Sequence, residues 1–260
     1  MKKVYVFITL TALCGLATAA FGWGNVVSSF VSPAGSTYPN GAGWETIFGT
    51  GYLFVSVNVP DYCYRVTYTG SIQRSIDLPG SATRDNDCGE ISGTGYVWVQ
   101  DYTTRRVYQF GYNTGSLYNS YVVPYTGPYG LAYRWSGSIY YLYATSDTTN
   151  HLYRMNATTG SVYGSYSLPF EPRGIGYGDG YLWIADGTNN RVRKCSVSGS
   201  TYDYFSVAPY GTIQGLDYDS LSNYVWAGMD SGTDRYYRFE TSGSSSITPT
   251  SMGKIKAMFD

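Results

Sequence analysis

The residues able to do chemistry are few and scattered. Three of the four glutamates, Glu45, Glu90 and Glu171, sit at similar points of a recurring pattern, and two carboxyl groups facing one another could perform acid–base chemistry on a glycosidic bond. Five aspartates, Asp61, Asp101, Asp147, Asp186 and Asp230, each follow an apolar strand-like run. Carboxylates arranged around an axis can hold Ca²⁺, but an aspartate opening a turn also caps a backbone N–H, and turn chemistry is the reading favoured over metal. His151 is the sole histidine, too little for a histidine-based metal centre or a proton relay. No nucleophile motif accompanies any serine. Of the cysteines, Cys63 and Cys88 are expected on one face of neighbouring units, where a disulfide is geometrically open to them. Cys195 falls within a strand as a buried thiol.

The elements that must position these groups are written in a repeat. Ten-residue segments run from Gly24 to Pro33, Gly70 to Pro79, Gly115 to Pro124 and Gly160 to Pro169, with a looser copy from Gly199 to Pro209. Glycine supports the turn into each strand, and proline, lacking an N–H, ends it. Between them lies a second element led by tyrosine at 52, 96, 140, 181 and 224, in steps of 44, 44, 41 and 43. A third follows each and ends in Thr/Ser-Gly. A fourth precedes it, clearest at Gly130-Leu131-Ala132-Tyr133, Gly174-Ile175-Gly176-Tyr177 and Gly215-Leu216-Asp217-Tyr218. Four short strands in a little over 40 residues is the period of a propeller blade. The fold expected is therefore all-β: a propeller of five blades with four antiparallel strands each. Its last blade lacks a good fourth strand near its own end, whereas Gly24–Pro33 precedes any blade, so that segment is expected to complete the ring.

The expected organisation is a signal peptide over 1–20 and a propeller over 21–249. The blades fall near 43–79, 80–124, 125–169, 170–209 and 210–243, the last completed by 24–33, and a tail covers 250–260. Lys2 and Lys3, the apolar run from Val4 to Leu16 and the small residues Ala17 to Ala20 carry the signal reading, with a secreted or periplasmic address after cleavage.

The stretch Pro172-Arg173-Gly174-Ile175-Gly176-Tyr177-Gly178-Asp179-Gly180-Tyr181-Leu182-Trp183-Ile184-Ala185-Asp186, followed by Asn189-Asn190-Arg191-Val192, resembles the NHL-type and streptogramin-lyase-type propeller repeat, P-x-G-I-A … D-G-x-L-W-V-A-D … N-x-R-I. The match is closest in the fourth blade, partial in the second, third and fifth, and weak in the first. Such propellers include lyases, lactonases and many protein-, RNA- and glycan-binding modules, so the resemblance implies a fold rather than an activity. The lyases use histidine and a metal, which one histidine does not supply.

Charged residues make up 13% of the chain with a formal net charge of −1, and no basic patch of the kind nucleic acid requires is present. No segment is long and apolar enough to span a membrane as a helix. The thirty tyrosines have two readings: on strand faces they fill the space between blades, and any beyond that leave aromatic surface that suits sugar rings or protein partners. Tyr62, Tyr102, Tyr125, Tyr129 and Tyr210 fall in loop segments. The expected ligand-binding set on the loop face is Trp44, Tyr62, Glu90, Tyr102, Tyr129, Glu171, Arg173 and Gln214, with no catalytic residue, no metal ligand and no cofactor. The function expected is a non-catalytic exported module recognising a glycan or a surface protein. A glycan-active hydrolase or lyase using Glu45, Glu90 or Glu171 is the first alternative, and a self-assembling envelope or matrix component the second.

Overall fold

The computed structural model describes residues 23–45 and 51–241. The signal-peptide reading and the tail from residue 250 lie outside them. Twenty strands form five separate four-stranded antiparallel sheets. Blade 1 comprises β2 (Thr37–Trp44), β3 (Leu53–Val59), β4 (Asp61–Val66) and β5 (Ile72–Asp77). Blade 2 comprises β6 (Thr83–Ile91), β7 (Thr94–Asp101), β8 (Arg106–Gly111) and β9 (Leu117–Val122). Blade 3 is β10 (Pro128–Ser136), β11 (Ile139–Ser146), β12 (His151–Asn156) and β13 (Val162–Ser167). Blade 4 is β14 (Pro172–Gly178), β15 (Tyr181–Asp186), β16 (Arg191–Cys195) and β17 (Thr201–Ser206). Blade 5 takes β18 (Thr212–Asp219), β19 (Tyr224–Asp230) and β20 (Arg235–Glu240) from its own segment, and β1 (Val26–Val31) supplies its outermost strand.

The closure is therefore as the repeat predicts. β1 pairs β20 from Val26↔Phe239 to Val31↔Arg235, flanked by Gly24 N–H donating to the Glu240 carbonyl at 2.9 Å and Ser32 N–H to the Asp234 carbonyl at 2.9 Å. Phe30 anchors the strand, buried against Trp226 (5.6 Å) and stacked on Tyr236 (5.3 Å).

Blades adhere through one repeated contact. The aromatic residue two places after the leading tyrosine stacks on a residue near the end of the next blade's first strand: Trp98 on Tyr133 (5.0 Å, 9°), Tyr143 on Tyr177 (6.3 Å, 16°) and Trp183 on Tyr218 (5.5 Å, 8°). Register makes Tyr143 the counterpart of Trp98, through the pairs Ala132↔Tyr143 and Asp87↔Trp98, so the leading tyrosine of blade 3 is Tyr141 rather than Tyr140.

The innermost strands β2, β6, β10, β14 and β18 line the axis, and each carries a register shift near its start. Just beyond it stand Gly41, Asp85, Gly130, Gly174 and Gly215. Glycine is required by proximity here: a Cβ on Gly174 would lie 2.3 Å from Leu216 N, and one on Gly215 2.0 Å from Asn40 O. Asp85 is the exception, and its fully buried carboxylate accepts N–H groups from three other blades: Ala42 (3.2 Å), Leu131 (3.1 Å) and Ile175 (3.0 Å). One side chain thus ties four blades at the axis. Burial raises its pKa well above the usual carboxylate range, opposed by those N–H bonds. Two residues further along stand Asp87 and Asp217, whose carboxyl groups act on one another. Burial pushes both pKa values upward, and the Asp87 charge adds to the rise at Asp217. Tyr133 N–H donates to Asp87, and Trp44 N–H to Asp217.

Candidate functional site: the mouth of the axial channel

The residue immediately before each axial Gly or Asp is Asn40, Arg84, Tyr129, Arg173 or Gln214, one per blade. The shift in register turns these five side chains toward the opening of the channel, where they line a hollow of 480 Å³ together with Tyr38, Asn58 and Asp230. Tyr129 is buried between the two arginines, its ring 5.3 Å from the Arg84 guanidinium and 5.8 Å from that of Arg173. Its hydroxyl donates to Gln214 Oε1, and burial pushes its pKa up to about 12. Arg173 is committed to the protein, through Glu171 Oε1 at 3.0 Å and the Ile213 carbonyl at 3.1 Å. Asn40 donates to the Thr83 carbonyl at 2.6 Å.

Arg84 is different. Its guanidinium lies over Tyr102 at 5.0 Å, yet it makes no hydrogen bond and no ion pair with any described residue, and its Nε is sealed from solvent without a partner. Asn58 Oδ1, also on the mouth, is a sealed acceptor without a partner. A buried donor and a buried acceptor left unpaired are costly in a native structure, and both belong to residues that line the same hollow.

Three acids border this opening. Burial raises the pKa of Asp61, Asp147 and Asp230 above the usual value. Arg84 pulls Asp61 and Asp147 back down, and Arg173 does so for Asp230. The mouth thus mixes guanidinium, amide, phenol and carboxyl groups.

Of the eight residues expected on the loop face, Tyr129, Arg173 and Gln214 line the hollow, Tyr102 lies under Arg84, Glu171 pairs with Arg173, and Tyr62 is the second residue of β4, tilted against Tyr64 at 5.5 Å. Trp44 and Glu90 are elsewhere. They stand at the far ends of β2 and β6, four residues and about 13 Å of strand beyond Asn40 in the case of Trp44, which is buried between blades. The three glutamates accordingly do not converge. Glu45 is buried and bound to Arg65 at 3.2 Å, Glu90 is exposed at the far face, and Glu171 is at the mouth.

The hairpin aspartates do not form one ring either. Asp101 and Asp186 occupy equivalent positions, which Ser146 fills in blade 3, whereas Asp147 and Asp230 lie one residue beyond that position and Asp61 starts the following strand. Asp101 accepts from Thr104 N–H (2.7 Å) and from Ser81 and Ala82 N–H (3.0 Å each). Burial raises its pKa, but these bonds outweigh it and leave the carboxyl below its usual value. Asp186 takes Asn189 N–H at 3.0 Å and Arg193 Nε at 2.8 Å. Cys63 and Cys88 are separate buried thiols of one apolar cluster rather than a disulfide. They lie inside β4 and β6 instead of in loops, and the Cys88 thiol donates to the Trp44 carbonyl at 3.1 Å.

The loop tyrosines reverse their expected role. Tyr125 and Tyr129 are buried, Tyr125 stacking on Tyr153 at 4.0 Å, and Tyr210 packs on Tyr237 and Phe239. Apart from Tyr68, which is in a turn, the strongly exposed rings are on strands.

Asn40, Arg84 and Asn58 escaped the sequence reading. Asn40 and Arg84 were recoverable from the repeat, because each precedes the residue aligned with the glycine of Gly-Leu-Ala-Tyr, as Tyr129, Arg173 and Gln214 do.

Among solved structures, the chain is similar to glutaminyl cyclase from Myxococcus xanthus (TM-score 0.66, 10% identity, covering 83% of this chain and 95% of that one). It also matches the PQQ-bound aldose sugar dehydrogenase from Streptomyces coelicolor (TM-score 0.50, 13% identity, 83% and 97% covered). Virginiamycin B lyase from Staphylococcus aureus follows with a TM-score of 0.49, 19% identity, and 85% and 74% covered. At these identities the likeness is one of propeller fold. No protein-family model and no curated protein sequence matches the chain.

Proposed function

We propose that this propeller is an exported binding module that takes an uncharged, hydroxyl-rich ligand, a glycan, into the axial mouth. The observation supporting it is the Arg84 guanidinium, which lines the 480 Å³ hollow without a hydrogen bond or ion pair to any described residue, with Asp230 on the same lining. A guanidinium that donates and a carboxyl group that accepts suit a ligand that both accepts and donates, as a hydroxyl does. Arg173, Gln214 and Asp230 extend that mixed character, and Tyr102 and Tyr38 give aromatic faces at the rim. A glycan array probed with residues 21–260, with Ca²⁺ and again with chelator, tests the reading. Saturable binding that Arg84→Ala weakens at least tenfold supports it, and an array blank under both conditions refutes it.

A second reading has its own support. Asp147 and Asp230 sit at the mouth with raised pKa values, the property a general acid needs. Glycan cleavage would then rest on these aspartates and not on the three glutamates. Turnover of the array's best ligand, lost in Asp147→Asn or Asp230→Asn with binding retained, is the result that would establish it.

A further inference from the structure

The fourth residue of the ten-residue repeat falls on the outermost strand of every blade. It is Tyr118 in β9, Tyr163 in β13 and Tyr202 in β17, with Gln73 in β5 and Val27 in β1. The three tyrosines are 68%, 48% and 65% exposed, so burial does not account for them. Each ring is propped by the leading tyrosine of its own blade: Tyr118 by Tyr96 (5.1 Å), Tyr163 by Tyr141 (5.7 Å) and Tyr202 by Tyr181 (5.6 Å). In blades 3 and 4 the inner ring is also engaged by a cation of the neighbouring strand, Arg154 at 5.4 Å from Tyr141 and Lys194 at 3.9 Å from Tyr181. The inner tyrosine is thereby spent on packing and the outer one is left facing water.

In blade 2 the pair borders a hollow of 340 Å³, shared with Thr94, Asn113, Thr114 and Tyr112 and edged by glycines that leave it open. Its lining holds no charged side chain. An aromatic wall receives a flat C–H face, and hydroxyl and amide groups beside it bond to hydroxyls at the rim of the same ligand. A molecule that is uncharged, apolar on one face and hydroxylated at its edge is a pyranose. In blade 3 Asn156, at the end of β12, donates to the Tyr163 hydroxyl at 2.9 Å, and the turns after the third strand carry Thr158 and Thr159 in blade 3 and Ser196 and Ser198 in blade 4.

We infer that the Tyr118 hollow is a subsite for a neutral sugar unit, with Tyr163 and Tyr202 as its counterparts, so that the rim holds a neutral polysaccharide at up to three points. This goes beyond the mouth and does not depend on it. Linked sites convert weak contacts into firm retention, because second and third contacts become intramolecular.

The test uses residues 21–260 and three neutral probes, cellohexaose, hexa-N-acetylchitohexaose and maltohexaose, titrated to about 5 mM, each paired with retention on its insoluble polymer. The expected result is millimolar-range binding of at least one probe, with retention on that polymer lowered at least tenfold by the triple change Tyr118→Ala, Tyr163→Ala and Tyr202→Ala, and less by Tyr118→Ala alone. The unfolding midpoint of each variant is measured alongside and stays near that of the unaltered protein, since the three rings are exposed. Should the mouth reading fail and the rim stand, Arg84→Ala is retained like the unaltered protein while the triple variant is not. Retention of a folded triple variant at the unaltered level, or no binding of any of the three probes, overturns the inference.

Discussion

Replacing Asp85 tests how the five blades are held at the axis. Its two oxygens accept three N–H groups, from Ala42, Leu131 and Ile175, each in a different blade. Asp85→Leu removes the acceptors and leaves three buried donors, at about 1–3 kcal/mol apiece. Relief from burying a carboxylate with no cation beside it offsets part of that loss. The net expectation is a loss of about 3–6 kcal/mol, a large share of the 5–15 kcal/mol that holds a typical domain together. Asp85→Asn keeps the shape. Its amide oxygen can serve Leu131 and Ile175, which share Oδ2, but its NH₂ then meets the Ala42 N–H, donor against donor, and the loss is about 1–3 kcal/mol. Urea unfolding followed by tryptophan fluorescence measures both, since Trp98, Trp183 and Trp226 are buried between blades. Hydrogen exchange at Ala42, Leu131 and Ile175 should quicken in the leucine variant ahead of other strand amides. A leucine variant within about 0.5 kcal/mol of the unaltered protein would refute the reasoning, because the carboxylate would then be a tolerated burden and not a tie.

The Asp87–Asp217 pair makes stability depend on pH. Both pKa values are raised in the folded protein, so the contribution is present at low pH and is lost as the pH rises through the folded values; the urea midpoint should fall between about pH 4 and neutrality. Asp217→Asn removes one of the two buried carboxyl groups and the charge it would carry, and should flatten that slope and stabilise the protein at pH 8 by about 1–2 kcal/mol. Phe30→Ala should cost about 3 kcal/mol in the same assay, since the ring fills the contact of β1 with Trp226 and Tyr236. Gly174→Ala sets a Cβ against the backbone of Leu216 and Gly215, which cannot yield, and should cost more than about 2 kcal/mol. Gly93→Ala meets nothing within 4 Å and suffers only its positive φ of 82°, at about 1 kcal/mol.

The repeat made the blade count, the strand count and the closure legible, because glycine, proline and paired aromatics recur wherever a turn or an inter-blade stack needs them. The innermost strand was the least legible. In blade 1 it reads Thr37-Tyr-Pro-Asn-Gly-Ala-Gly-Trp44, with little of the Gly-Leu-Ala-Tyr pattern, so the sequence pattern sets the start of the blade near Trp44, at the strand's end. That error carried Trp44 and Glu90 to the wrong face. The register shift that turns Arg84 and Asn40 to the mouth has no composition of its own, and the tyrosines were misassigned for a related reason. Loop position suggested exposure, but Tyr125 and Tyr129 enter the axis and the blade interfaces, whereas alternation along the outermost strands sends Tyr118, Tyr163 and Tyr202 outward.

The pairing of β1 with β20 joins segments separated by the entire ring, Val26 meeting Phe239. Four of the blades are local: each can zip from hairpins a few residues apart. The fifth cannot be finished by neighbours, so the last ladder carries a loop-closure entropy the others avoid. Until it forms, β20 is an open edge, and the same edge can accept the β1 of a second molecule. Protein concentration during refolding therefore decides between closing one ring and exchanging strands between two, and dilution should favour the single ring.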